Sequence, residues 1–163
     1  MRKLILLISL MGLASQTFSQ GEWGPSESDK TQAVQVLQAF LTALRDSRLE
    51  DAYEMLTPGM HALTPFDQWR QLEDEFKRRS GGSARFGNTR ATWYKDPAGA
   101  ELPGVYVAFD LDCRYEKIDL CHEVFMLHQQ DDGSFLIMRH ERNYVDRGNE
   151  AESDEIEREG PAQ

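Results

Sequence analysis

The residues able to do chemistry cluster around Cys113, Cys121 and Glu123, with His140 and Arg142 one element further on. In residues 105–115, VYVAFDLDCRY, side chains alternate: Val105, Val107, Phe109, Leu111, Cys113 and Tyr115 against Tyr106, Ala108, Asp110, Asp112, Arg114 and then Glu116. That is the period-two pattern of a strand with one dry face. If the chain reverses about Lys117, Cys113 stands opposite Cys121 and Leu111 opposite Glu123. Two opposed cysteines on neighbouring strands of an exported chain read as a structural disulfide. A redox-active pair would call for Cys-x-x-Cys spacing and a neighbour that stabilises a thiolate, and neither is present.

The same register carries Glu123 onto the dry face, where an uncompensated carboxylate is costly. A two-residue Asp132-Gly133 turn before the last strand sets Glu123 against Arg142, whereas one more loop residue sets it against Glu141, a like-charge pairing that sheets avoid. Three outcomes are open: a structural salt bridge to Arg142, a pocket carboxylate with the raised pKa of a general acid or base, or exposure through a bulge. Glu123 is therefore the candidate catalytic residue, and Tyr53, Trp69, Glu123, His140 and Arg142 are the candidate pocket residues. For Tyr53 and Trp69 the competing reading is core, because aromatic residues at helical spacing usually pack.

His61, His122, His128 and His140 raise the question of a metal. On these registers His122 and His128 lie on the wet face and His140 opposite Phe125 on the other, so they do not converge, and neither metal nor cofactor is expected. Serines are confined to the leader, linkers and turns, with no Gly-x-Ser-x-Gly. Gly81-Gly82-Ser83 lacks the lysine of a phosphate loop.

These residues need a scaffold. An amphipathic helix opens at Ser28 or Asp29, carries Ala33, Val34, Leu37, Phe40, Leu41 and Leu44 on one face, and ends near Arg45. A short second helix over 49–56 is stopped by Thr57-Pro58-Gly59. A third starts with Thr64 as cap and Pro65 in the first turn, buries Phe66, Trp69, Leu72 and Phe76, keeps Arg70, Glu73, Asp74, Glu75 and Lys77 wet, and ends at Ser80-Gly81-Gly82-Ser83. Strands follow over 85–94, 105–115, 121–129 and 135–144. The expected class is α+β: three N-terminal helices packed on a curved four-stranded antiparallel sheet, a cone of the cystatin-like kind whose open end holds a small molecule or another subunit.

The ends read differently. Met1-Arg2-Lys3 and the apolar run that follows form a signal peptide over 1–19, the run being too short to cross a bilayer of ~30 Å. Cleavage falls after Ser19 or after Ala14, and no cysteine follows the run to take a lipid. The product is expected to be periplasmic or secreted, without stable membrane insertion once the signal is removed. A linker over 20–27, one domain over 28–145 and an acidic tail over 146–163 complete the chain. Of the net charge of −10 over 163 residues, half lies in that tail. The body has no basic face, which argues against nucleic acid as a partner. Lys77-Arg78-Arg79, with Arg85 and Arg90, reads as a solvated helix end.

The order of elements resembles the cone-shaped superfamily typified by nuclear transport factor two, scytalone dehydratase, ketosteroid isomerase and the SnoaL-like cyclases. More closely, Gln68-Trp69, Arg78 with Gly82 and Arg85, Leu102-Pro103-Gly104-Val105-Tyr106-Val107, His122-Glu123-Val124 and Asp132-Gly133 resemble an exported bacterial domain of unknown function, number 4019. Phe135 stands where that family tends to have tryptophan, and the cysteine pair is not one of its general features. The resemblance implies a fold and an export route, with no catalytic residues to carry over. The first functional expectation is a non-catalytic binding or assembly module of the bacterial envelope, engaging a small ligand or forming a homodimer through the sheet face of Tyr106, Asp110, Arg114, His122 and His128. The alternative is an isomerase, lyase or cyclase using Glu123. A third reading is a partner subunit held through the acidic tail.

Overall fold

A computed structural model of the chain describes residues 23–146. The expected signal peptide, the start of the linker and the acidic tail beyond residue 146 lie outside the described residues. Four helices, α1 (Glu27–Arg45), α2 (Leu49–Glu54), α3 (Pro58–Leu63) and α4 (Phe66–Ser80), precede four strands, β1 (Arg85–Lys95), β2 (Val105–Arg114), β3 (Ile118–Gln129) and β4 (Phe135–Asp146). The strands form one antiparallel sheet in the order β1-β2-β3-β4. The α+β class is as expected, with one helix more.

The extra helix has a plain origin. Thr57 accepts from the Met60 amide and Pro58 occupies the first turn, so Thr57-Pro58-Gly59, besides stopping α2, starts a further helix. α1 also starts earlier than expected: Ser26 and Asp29 exchange side-chain-to-backbone bonds in a capping box. At the start of α4 the N-cap position is Pro65, without a side-chain cap bond, rather than Thr64.

α1 contributes Ala33, Leu37, Phe40 and Ala43, α2 Leu49 and Ala52, and α4 Trp69 to one buried cluster with Val107, Phe109, Leu111, Phe125, Leu127, Phe135 and Ile137 of the sheet. Alternation in β2 and β3 delivers those sheet residues to the helix side. Leu72, expected in the buried stripe of α4, is 54% exposed. The inward face instead runs through Phe66, Trp69, Glu73, Phe76 and Ser80, which keeps the 3.6-residue period.

The other sheet face is only partly wet. The connection from β1 to β2 folds across it, so that Tyr106 donates to the Leu102 carbonyl and His128 Nε2 lies 3.1 Å from the Pro103 carbonyl. Tyr106 and His128 are consequently buried, and Ala108 with them, against the expected exposure. Asp96 ties the connection down by accepting from the Gly104 amide at 2.7 Å.

Candidate functional site

β2 and β3 pair with Cys113 opposite Cys121 and Leu111 opposite Glu123. A disulfide joins the two cysteines, whose Cα atoms are 4.9 Å apart. The sulfurs lie close to the Glu123 carboxylate, but each has spent its thiolate on the other, and no metal-binding set remains there.

The placement of Glu123 against β4 depends on a β-bulge. The β3–β4 loop has three residues, Asp131-Asp132-Gly133, closed by a bond from the Gln130 amide to the Ser134 carbonyl. Gly133 has φ +85°, the left-handed position that such loops require. Near the loop the ladder therefore pairs Gln129 with Phe135 and Leu127 with Ile137, the register that leads to Glu141. Between Met126 and Leu127 the register shifts by one, and beyond it Phe125 pairs with His140 and Glu123 with Arg142. One extra residue in β4 exchanges inward and outward positions, which separates Glu123 from Glu141.

Glu123 is 1% exposed. The Tyr115 hydroxyl donates to its Oε1, and His140 Nε2 lies 2.8 Å from its Oε2. Arg142 Nε is 3.8 Å from Oε2, close enough for charge attraction and too long for a hydrogen bond. The guanidinium is committed elsewhere: Nη1 and Nη2 donate to the two carboxylate oxygens of Glu73, at 3.1 and 2.7 Å, while its plane lies over the Phe76 ring. Arg142 Nε has no hydrogen-bond partner among the described residues. His140 is stacked on Phe125, 4.1 Å between ring centres, with Phe40 against its edge.

Burial opposes the Glu123 charge, yet the hydrogen bond from His140, the nearby positive charges and the Tyr115 hydroxyl together hold its carboxyl below the usual range. Burial, reinforced by the Arg142 charge, pushes the His140 imidazole down. At neutral pH the pair is a carboxylate accepting from a neutral imidazole. Burial and the Glu123 charge raise the Tyr115 phenol, which stays protonated and can only donate to Glu123.

A cavity of about 150 Å³ opens beside this network, between α1, α4 and the sheet. Glu73, Tyr115, Glu123 and Arg142 form its polar wall, Leu41, Leu44, Leu49, Phe76 and Phe86 its apolar wall, and Arg45, Asp74 and Lys77 lie among the residues around it. Of the five candidate pocket residues, Glu123 and Arg142 line this cavity, and His140 acts on it through Glu123. Tyr53 and Trp69 belong to a separate aromatic cluster: Tyr53 stacks on His61 and meets Phe66 and Trp69, and its hydroxyl donates to the Thr64 carbonyl. Sequence reasoning missed Glu73 and Tyr115. Glu73 was legible from its spacing to Trp69 and Phe76, and Tyr115 from its place on the dry face.

No family model matches the chain, and no curated protein matches it. A solved 2.5 Å structure from Catenulispora acidiphila is similar to it at 15% identity with a TM-score of 0.43, over 77% of this chain and 96% of that one.

Proposed function

We propose that this chain is an exported, non-catalytic module of the bacterial envelope that holds a small molecule in the cavity between α1, α4 and the sheet. The observation that carries the reading is a preformed cavity with apolar walls and a fixed polar end, the general form of a small-molecule site. Export is supported by the positive head and apolar run at the N-terminus and by the disulfide, which persists in oxidising compartments. Among the described residues no helix is long and apolar enough to cross a membrane. The resemblance to the exported domain of unknown function is part of this proposal, as is a homodimer through the uncovered part of the outer sheet face near Asp110, Arg114 and His122.

The network weighs against the isomerase, lyase or cyclase reading. A general acid or base at neutral pH works best with a pKa raised toward that pH, whereas Glu123 is shifted down, which makes it a weaker base as well as no acid, and both its oxygens already have donors. The test is native mass spectrometry of protein exported to a periplasm and purified without denaturation, followed by solvent extraction. A compound released on unfolding is the expected result. A bare chain in every preparation, with no thermal stabilisation from a fragment library, would overturn the reading.

A further inference from the structure

The cavity also indicates what sort of molecule it takes, an inference that rests on the binding reading above. We propose that it selects a small organic cation: an ammonium group on an apolar body about the size of one six-membered ring. A cavity of about 150 Å³ is roughly the size that accepts benzene when its walls are apolar, and here Leu41, Leu44, Phe76 and Phe86 supply such walls.

The sign of charge follows from counting the buried groups at the polar end. Glu73 and Glu123 have side chains 11% and 1% exposed, and Arg142, at 16%, is the one permanent cation buried with them among the described residues. Both terminal guanidinium nitrogens are given to Glu73, and the remaining Nε makes no hydrogen bond to Glu123. Tyr115 donates a hydrogen bond without adding charge. His140 is held toward its neutral form by burial, which leaves the set one negative charge in excess. The cations at the mouth do not cancel it. Arg45 pairs with Asp46, and its side chain is 60% exposed; Lys77 is exposed and bonds to Ser47 Oγ. Charges in contact with water are screened. A carboxylate ligand would meet two buried carboxylates, a neutral one would leave the excess in place, and an ammonium removes it.

The experiment measures binding of benzylamine, benzyl alcohol and benzoate to the intact mature protein at pH 7 by calorimetry, with amide shift mapping. Benzylamine is expected to bind at least tenfold tighter than benzyl alcohol, to shift the amides of Thr42, Phe76 and Tyr115, and to lose its advantage in Glu73→Gln. Benzoate is expected to show no binding. Benzyl alcohol or benzoate binding as well as benzylamine in that cavity would overturn the cation preference and leave the binding reading standing. If none of the three probes shifts those amides, the cation preference falls, and the binding reading is decided separately by the native mass spectrometry. Should Glu73→Gln not fold, the ranking of the three probes on the unmodified protein still decides.

Discussion

Arg142 on β4 grips both carboxylate oxygens of Glu73 on α4 at 3.1 and 2.7 Å, joining residues 69 positions apart. Both side chains are largely buried, so removing one partner strands the other charge. Arg142→Ala or Glu73→Ala is expected to cost about 3–5 kcal/mol. Replacing both by apolar residues of similar volume, Glu73→Leu with Arg142→Met, is expected to cost less than either single change, because it removes the desolvation penalty along with the attraction. Urea unfolding of the four proteins checks this, and costs that simply add would show that the pair is not coupled.

The Glu123–His140 pair gives stability a defined pH dependence. A carboxyl whose folded pKa lies below its ordinary 4.5 contributes stability that is present above that value and lost as pH falls through the folded pKa. His140 acts in the same direction. Its folded pKa is below 6.5, so the unfolded chain takes up a proton near that pH that the folded chain refuses, and stability falls as pH drops below it. The urea midpoint is expected to decline from pH 7 downward, with His140→Gln flattening the limb just below 6.5 and Glu123→Gln the limb below 4.5. The groups around His140 that bear on the result are Glu123, Arg142 and Glu73. An unchanged slope in His140→Gln would mean that this imidazole titrates alike in both states.

Much of this site is legible in residue order because alternation has only two faces. Once residues 105–115 are read as a half-buried strand, a reversal about Lys117 fixes both the cysteine pair and the inward position of Glu123, as observed. A two-residue turn is one way to set Arg142 opposite Glu123, whereas the chain reaches the same pairing with a three-residue loop and a bulge that restores the register. Turn residues alone do not reveal a compensating bulge several residues away. At Glu73 charge and helical period point opposite ways, and the period prevails: Trp69, Glu73 and Phe76 share a face. The burial of Tyr106 and His128 is not legible in residue order because the cover over them is a loop packed by main-chain carbonyls, which carries no hydrophobic pattern.

Gly81 and Gly99 share a φ of +83°, which makes one the control for the other. At Gly99 nothing lies within 4 Å of an added Cβ, whereas at Gly81 it would meet Glu116 Cβ at 2.9 Å and Lys117 Cγ at 3.0 Å. Gly99→Ala is expected to cost about 1–2 kcal/mol for left-handed backbone alone. Gly81→Ala should cost clearly more, since α4 ends there against the β2–β3 turn and the Lys117 amide donates to the Ser80 carbonyl at 2.9 Å. Equal shifts in melting temperature would show that the turn yields without cost.

The disulfide closes a loop of sequence separation 8, so its loss by Cys113→Ala with Cys121→Ala is expected to lower stability by about 2–3 kcal/mol. The effect should not be spread evenly. Tyr115, which donates to Glu123, and Lys117, which docks on Ser80, both lie inside the closed loop. Phe109, further along β2, is held by core packing and by its pairing with Phe125. Hydrogen exchange on the alanine pair is therefore expected to show protection falling at Lys117 before it falls at Phe109, with the cavity amides following Lys117. Loss of protection in parallel at all these sites would mean that the bridge stabilises the fold globally and does not hold the polar wall of the cavity in place.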